Sequence, residues 1–119
     1  MSITGDAQIL PGDFEKRAVL ATFNDMRKDN QFCDVAFLCH GVLFNAHKVV
    51  VSGWSRWIRA LLSETYQEEA IHIDHFAPDA FAAVLDYMYG VPLNLTVDTA
   101  EAVIKVVRRL EMQKLEQQC

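Results

Sequence analysis

Positive charge is scarce in this sequence. Lys and Arg total 11 against 16 Asp and Glu, a formal net charge of −5. A nucleic-acid grip needs clustered cations to displace counterions, and none is visible, so no nucleic-acid partner is expected. Long apolar runs are missing too. Every stretch is broken by Asp, Asn or Arg well short of the ~20 residues of a membrane span, and residues 1–12 have neither the basic start nor the apolar core of a secretory signal. Cysteine is limited to Cys33, Cys39 and Cys119. An odd, widely spaced set is not the disulfide framework of a small secreted domain, so reduced thiols in the cytoplasm or nucleus are expected. Asn94-Leu95-Thr96 fits a glycosylation acceptor, but without a secretory route it carries no chemistry. The 5 glycines are scattered at turns and form no phosphate-cradling loop.

Metal and catalytic groupings are equally thin. Cys33 and Cys39 stand six apart on one expected strand, roughly 20 Å when extended. One zinc ion with bonds of ~2.0–2.3 Å cannot reach both, even with His40 and His47 at hand. His72 and His75 flank Asp74, at most a weak surface site. Nucleophilic residue types occur, but in no convergent arrangement. No cofactor, metal or small-molecule substrate is expected, and no enzyme.

Apolar residues are what the chain has in quantity, 51% of 119 residues. The length is that of one domain. A chain this short buries its apolar surface inefficiently, so the surplus points to burial against a partner. Residues 1–12 read as a loose, flexible arm, with Ala7–Leu10 able to add a short strand. Asp13 can cap a helix over 14–28. That helix carries two apolar stripes, Phe14, Ala18 and Ala21 on one side, Val19, Phe23 and Met26 with nearby Leu20 on another. A surface helix needs only one, so this one is expected to be covered twice, by its own domain and by a second molecule.

Phe32–Cys39 and Val42–Asn45 read as strands joined at His40-Gly41 in a hairpin. Both faces of the first strand are largely apolar beyond Asp34, which predicts cover on both sides. Asp34 would need a partner there, and Lys48 and His47 are nearest in sequence. Ala46–Val51 and Ser55–Leu62 read as helices broken at Ser52-Gly53, and 71–74 as a short strand. A helix begins at Pro78 and ends by Gly90. Another, capped by Thr96 or Asp98, has Ala100, Val103, Ile104, Val107 and Leu110 as its inner face.

Three segments carry a resemblance. They are Cys33-Asp34-Val35-Ala36-Phe37, then 41–50 with Phe44-Asn45-Ala46-His47-Lys48, then Ser55-Arg56-Trp57. Leu85-Asp86-Tyr87-Met88-Tyr89-Gly90 and 110–115 follow in order. This ordered set resembles the BTB/POZ domain over about Phe14 to Cys119, with Trp57 and Ile58 standing where the family usually has Tyr and Phe. The resemblance implies an α/β fold over 13–119, with a short three-stranded sheet and a β-hairpin packed among five or six helices. It implies a homodimer formed largely through the first helix, with Phe14, Val19, Leu20, Phe23 and Met26 at the interface. It also implies a buried charged pair, Asp34 with Lys48, near that interface, and a hydrogen-bonded structural role for His47.

One large group of the family binds cullin-3 and brings substrates to a ubiquitin ligase. Its members carry a hydrophobic residue, any residue, then Glu after the third helix, a pattern that Tyr66-Gln67-Glu68 fits. Tyr66 and Glu68 are therefore the expected cullin-binding residues. The alternatives are the head of a transcriptional regulator that recruits a corepressor, and a purely structural oligomerisation module.

Overall fold

In the computed structural model, which describes residues 7–64 and 69–116, His40 and Gly41 turn the chain with φ of 48° and 81°. Positive φ at both central residues gives a hairpin turn whose twist suits the flanking strands. These are β1 (Val35–Cys39) and β2 (Val42–Ala46), paired antiparallel with Phe37 opposite Phe44. A short β3 (Ile71–His72) lies parallel on the other side of β1, giving the order β2-β1-β3. The helices described are α1 (Asp13–Lys28), α2 (Lys48–Trp54), α3 (Arg56–Glu64), α4 (Pro78–Met88), α5 (Val97–Arg109) and α6 (Gln113–Glu116). The three-stranded sheet with its hairpin and the six helices match the expected α/β fold class.

Val35, Phe37 and Cys39 are buried, whereas Ala36 and Leu38 are half-buried and Val42 and Leu43 exposed. The sheet is thus fully covered on one face only, not on both as the strand composition implied. On the covered face Phe81 of α4 meets Phe37, Phe44 and Phe76 at ring-centroid distances of 5.4, 5.2 and 6.1 Å. Val103, Val106 and Val107 of α5, with Leu110 just after it, are also part of the core. Val106 joins the inner face of α5, while Ala100 and Ile104, expected there, are half-exposed.

Helix boundaries follow local hydrogen bonding. Gly12, not Asp13, is the N-cap of α1, and its N–H donates to Glu15 Oε1 at 3.1 Å. α2 continues through Ser52-Gly53 to Trp54. The break falls at Ser55, whose Oγ accepts the Ile58 N–H at 3.0 Å and donates to the Leu110 carbonyl at 2.6 Å. One buried hydroxyl therefore starts α3 and ties it to the end of α5. Thr96 caps α5, accepting the Thr99 N–H at 3.3 Å.

Candidate functional site

α1 meets the body of the domain along its C-terminal half. Leu20 lies against Gly90, where an added Cβ would sit 3.2 Å from the Leu20 Cβ. Phe23 packs on the core. Asn24 is buried and accepts from Arg27 at 2.7 and 3.1 Å. Arg27 also pairs with Asp86 of α4 at 2.5 Å and lies 4.9 Å over the Tyr89 ring. The N-terminal half reaches away. Phe14 is 77% exposed and Val19 51%, and Ala18 and Ala21 are exposed with them. The expected interface set is therefore divided in this single chain. Phe14 and Val19 are bare, whereas Leu20, Phe23 and Met26 are half-buried.

Beside the attached half of α1, a cavity of about 200 Å³ is lined by Phe23, Met26, Phe32, Asp34, His47, Val49 and Val50. Phe32 and Val49 at its margin are each 80% exposed. Phe32 also has φ of 59°, a conformation that bulky side chains rarely take.

In the single chain Asp34 and Lys48 come together through the backbone of Lys48. Asp34 is exposed, Lys48 half-buried, and the Asp34 carboxylate accepts the Lys48 backbone N–H at 2.6 Å. The carboxylate thus sits at the positive start of α2, where an anion satisfies an orphan donor. Both residues line an open groove with Ser52, Arg59 and Leu62.

His47 is held from both sides. Its Nε2 is 2.8 Å from the Gln31 carbonyl, an acceptor only, so Nε2 carries the proton. Nδ1 then accepts the Tyr89 hydroxyl at 2.8 Å, and the same oxygen accepts the His47 backbone N–H at 2.9 Å. Burial pushes the Tyr89 hydroxyl pKa up, against the opposing hydrogen bond from His47. Cys33 Sγ lies 3.7 Å from His47 Nε2, and Cys39 Sγ donates to the Phe76 carbonyl at 3.2 Å. Burial raises both thiols above the ordinary cysteine value, which keeps them protonated and poorly nucleophilic.

Asp74 accepts the His40 N–H at 2.7 Å and so closes the hairpin turn. Burial, helped by Arg109 and Lys105, holds His75 below the ordinary imidazole value. Among the described residues no three His, Cys, Asp or Glu side chains are grouped to hold a metal ion, and no helix is long and apolar enough to cross a membrane. Tyr66, Glu68 and Cys119 lie outside the described residues.

The bonds made by Ser55 and by the Arg27–Asp86 pair escaped the sequence reading. Asp86 is legible in the Leu85–Gly90 segment, but its pairing with Arg27 across 59 residues is not. Ser55 is legible as the first residue of an expected helix and in the Ser55-Arg56-Trp57 segment, but its bond to the Leu110 carbonyl is not.

The chain is similar to "Kelch repeat and BTB domain-containing protein 1" of vaccinia virus (strain Copenhagen) and of horsepox virus. Each is 28% identical over 97 residues, covering 79% of this chain and 17% of the relative. This chain therefore spans about a sixth of those relatives' length. Among solved structures, the BTB domain of zebrafish PATZ1 superposes with a TM-score of 0.83 at 21% identity, over 95% of this chain and 94% of that one. Residues 23–119 match the BTB/POZ domain family, so the match begins within α1 and takes in the sheet, the His47 network and every later helix. With that extent of match and a fold to go with it, the chain belongs to the BTB/POZ domains, which are protein–protein interaction modules.

Proposed function

We propose that this domain forms a homodimer through α1 and works as the substrate-adaptor component of a cullin-3 ubiquitin ligase. The observation that carries the dimer is the exposure of Phe14 and Val19, one from each apolar stripe of α1, on a helix whose other half is tied to the core. Large apolar side chains left in water on a small domain mark contact surfaces. Phe32 and Val49 extend the uncovered apolar area around the α1 cavity. The relatives named for both kelch repeats and a BTB domain support an adaptor reading, in which one region couples and another recruits.

For cullin contact, Tyr66 would fill an apolar pocket and Glu68 would meet a basic groove. The test titrates the chain with the N-terminal region of cullin-3, wild type beside Tyr66→Ala and Glu68→Lys. Saturable binding that each variant weakens at least about tenfold, a loss of roughly 1.4 kcal/mol, is the expected outcome. No binding by the wild type rejects the ligase role. Binding of a corepressor peptide in its place would favour the transcriptional role.

A further inference from the structure

α5 carries a second apolar line that its own domain leaves uncovered. Val97, Ala100, Glu101, Ile104, Lys105 and Arg108 line an open groove. Their spacing of three and four residues places them along one side of the helix. Val97 is 97% exposed, and Ala100 and Ile104 are half-exposed. The charges along this line are ordered. Glu101 occupies the N-terminal half and Lys105 and Arg108 the C-terminal half.

That order suits the helix dipole. It also makes the line complementary to itself when reversed. We propose that this side of α5 packs antiparallel against α5 of a second copy of this chain. A twofold axis passing between Ala102 and Val103 sets Glu101 level with the partner's Ile104 and Ala100 level with the partner's Lys105. Glu101 then lies beside the partner's Lys105, and symmetry makes the contact twice. Val97 and Ile104 supply the apolar surface, and Ala100 is small enough to let the helices approach closely.

The helix is 13 residues long, about 20 Å. Such a contact buries less than the ~1,200 Å² of a standard interface, so the association is weak and appears at high concentration. The α5 pairing stands independently of the α1 dimer. Only its consequence, the linking of dimers into open-ended chains through two different self-complementary faces, rests on that reading.

Sedimentation of the wild-type chain over micromolar to near-millimolar concentration should show species beyond the dimer, declining as salt rises. Glu101→Lys and Lys105→Glu should each weaken that step at least about fivefold while the micromolar dimer stays intact. The two variants mixed in equal amounts should associate again, because each then meets the opposite charge on its neighbour. Damage to the fold cannot produce that recovery. Phe14→Asp with Val19→Asp should abolish the micromolar dimer and leave the salt-sensitive step in place, which separates failure of one face from failure of the other. A wild-type chain with no salt-sensitive step, or a mixture no more associated than its components, overturns the proposal and leaves the α5 face to a different protein.

Discussion

Tyr89 concentrates the polar chemistry of the interior. Its hydroxyl satisfies both the backbone N–H and the Nδ1 of His47, while its ring lies under Arg27. Tyr89→Phe leaves a buried donor and a buried acceptor of His47 without partners, which costs about 1–3 kcal/mol. Urea unfolding at neutral pH measures it. The same residue sets an alkaline dependence. Burial raises the pKa of Tyr89 in the folded chain above its ordinary value of about 10. As pH climbs past that ordinary value, the unfolded chain loses the proton first, so stability falls with rising pH. The decline should be steeper in the wild type than in Tyr89→Phe when unfolding is followed between pH 9 and 11, roughly the range bracketing a free phenol. Asp34 carries a different lesson. A carboxylate ahead of an apolar strand reads as a residue in need of a cation, yet its acceptor role at the start of α2 is fulfilled by a backbone N–H.

At the level of elements, the ends of α1, α4 and α5 share one device. In α4 the Gly90 N–H donates to the Tyr87 carbonyl and the Val91 N–H to the Asp86 carbonyl, with Gly90 at φ of 93°. Asn30 and Glu111 take the equivalent left-handed position after α1 and α5. Gly90 is legible in sequence as a helix stop. Glu111 is not, because nothing in a glutamate announces positive φ. Gly90 also does something only packing reveals, since it makes room for Leu20 of α1. Gly90→Ala would force both a left-handed alanine and a shift of Leu20, lowering stability by about 1–2 kcal/mol. Hydrogen exchange should show the loss as faster opening of α1 in particular, because Leu20 is among the side chains that hold α1 on the domain, with Phe23 and the Arg27–Asp86 pair.

On the scale of the whole molecule, the apolar surplus of the sequence has a location. Part of it lies on the free half of α1, around Phe32 and Val49, and along the outer side of α5, and part on Ile9, Leu10 and the hairpin residues Val42 and Leu43. Light scattering at micromolar concentration should give about twice the 13.5 kDa of one chain. Phe14→Asp with Val19→Asp should return it to the single-chain mass with the melting temperature of the dissociated wild type. Both side chains are exposed, so the substitutions remove a partner contact without opening the core. Phe23→Asp would be a poorer probe, because Phe23 packs on the core and its loss confounds dissociation with unfolding.

Periodicity and turn chemistry were enough, by themselves, to read the hairpin at His40-Gly41, the helix that begins at Pro78, a helix capped by Thr96 or Asp98, and the apolar character of α1. Those features depend on residues adjacent along the chain, where alternation, caps and positive-φ positions are visible. Which stripe of α1 would face its own domain was beyond that reading. So were the burial of Val106 in place of Ile104, the one-sided cover of the sheet, and the meeting of Arg27 with Asp86. Each depends on which distant surfaces come into contact. That is set by how the apolar faces of all the elements pack around one core, and no local pattern records it.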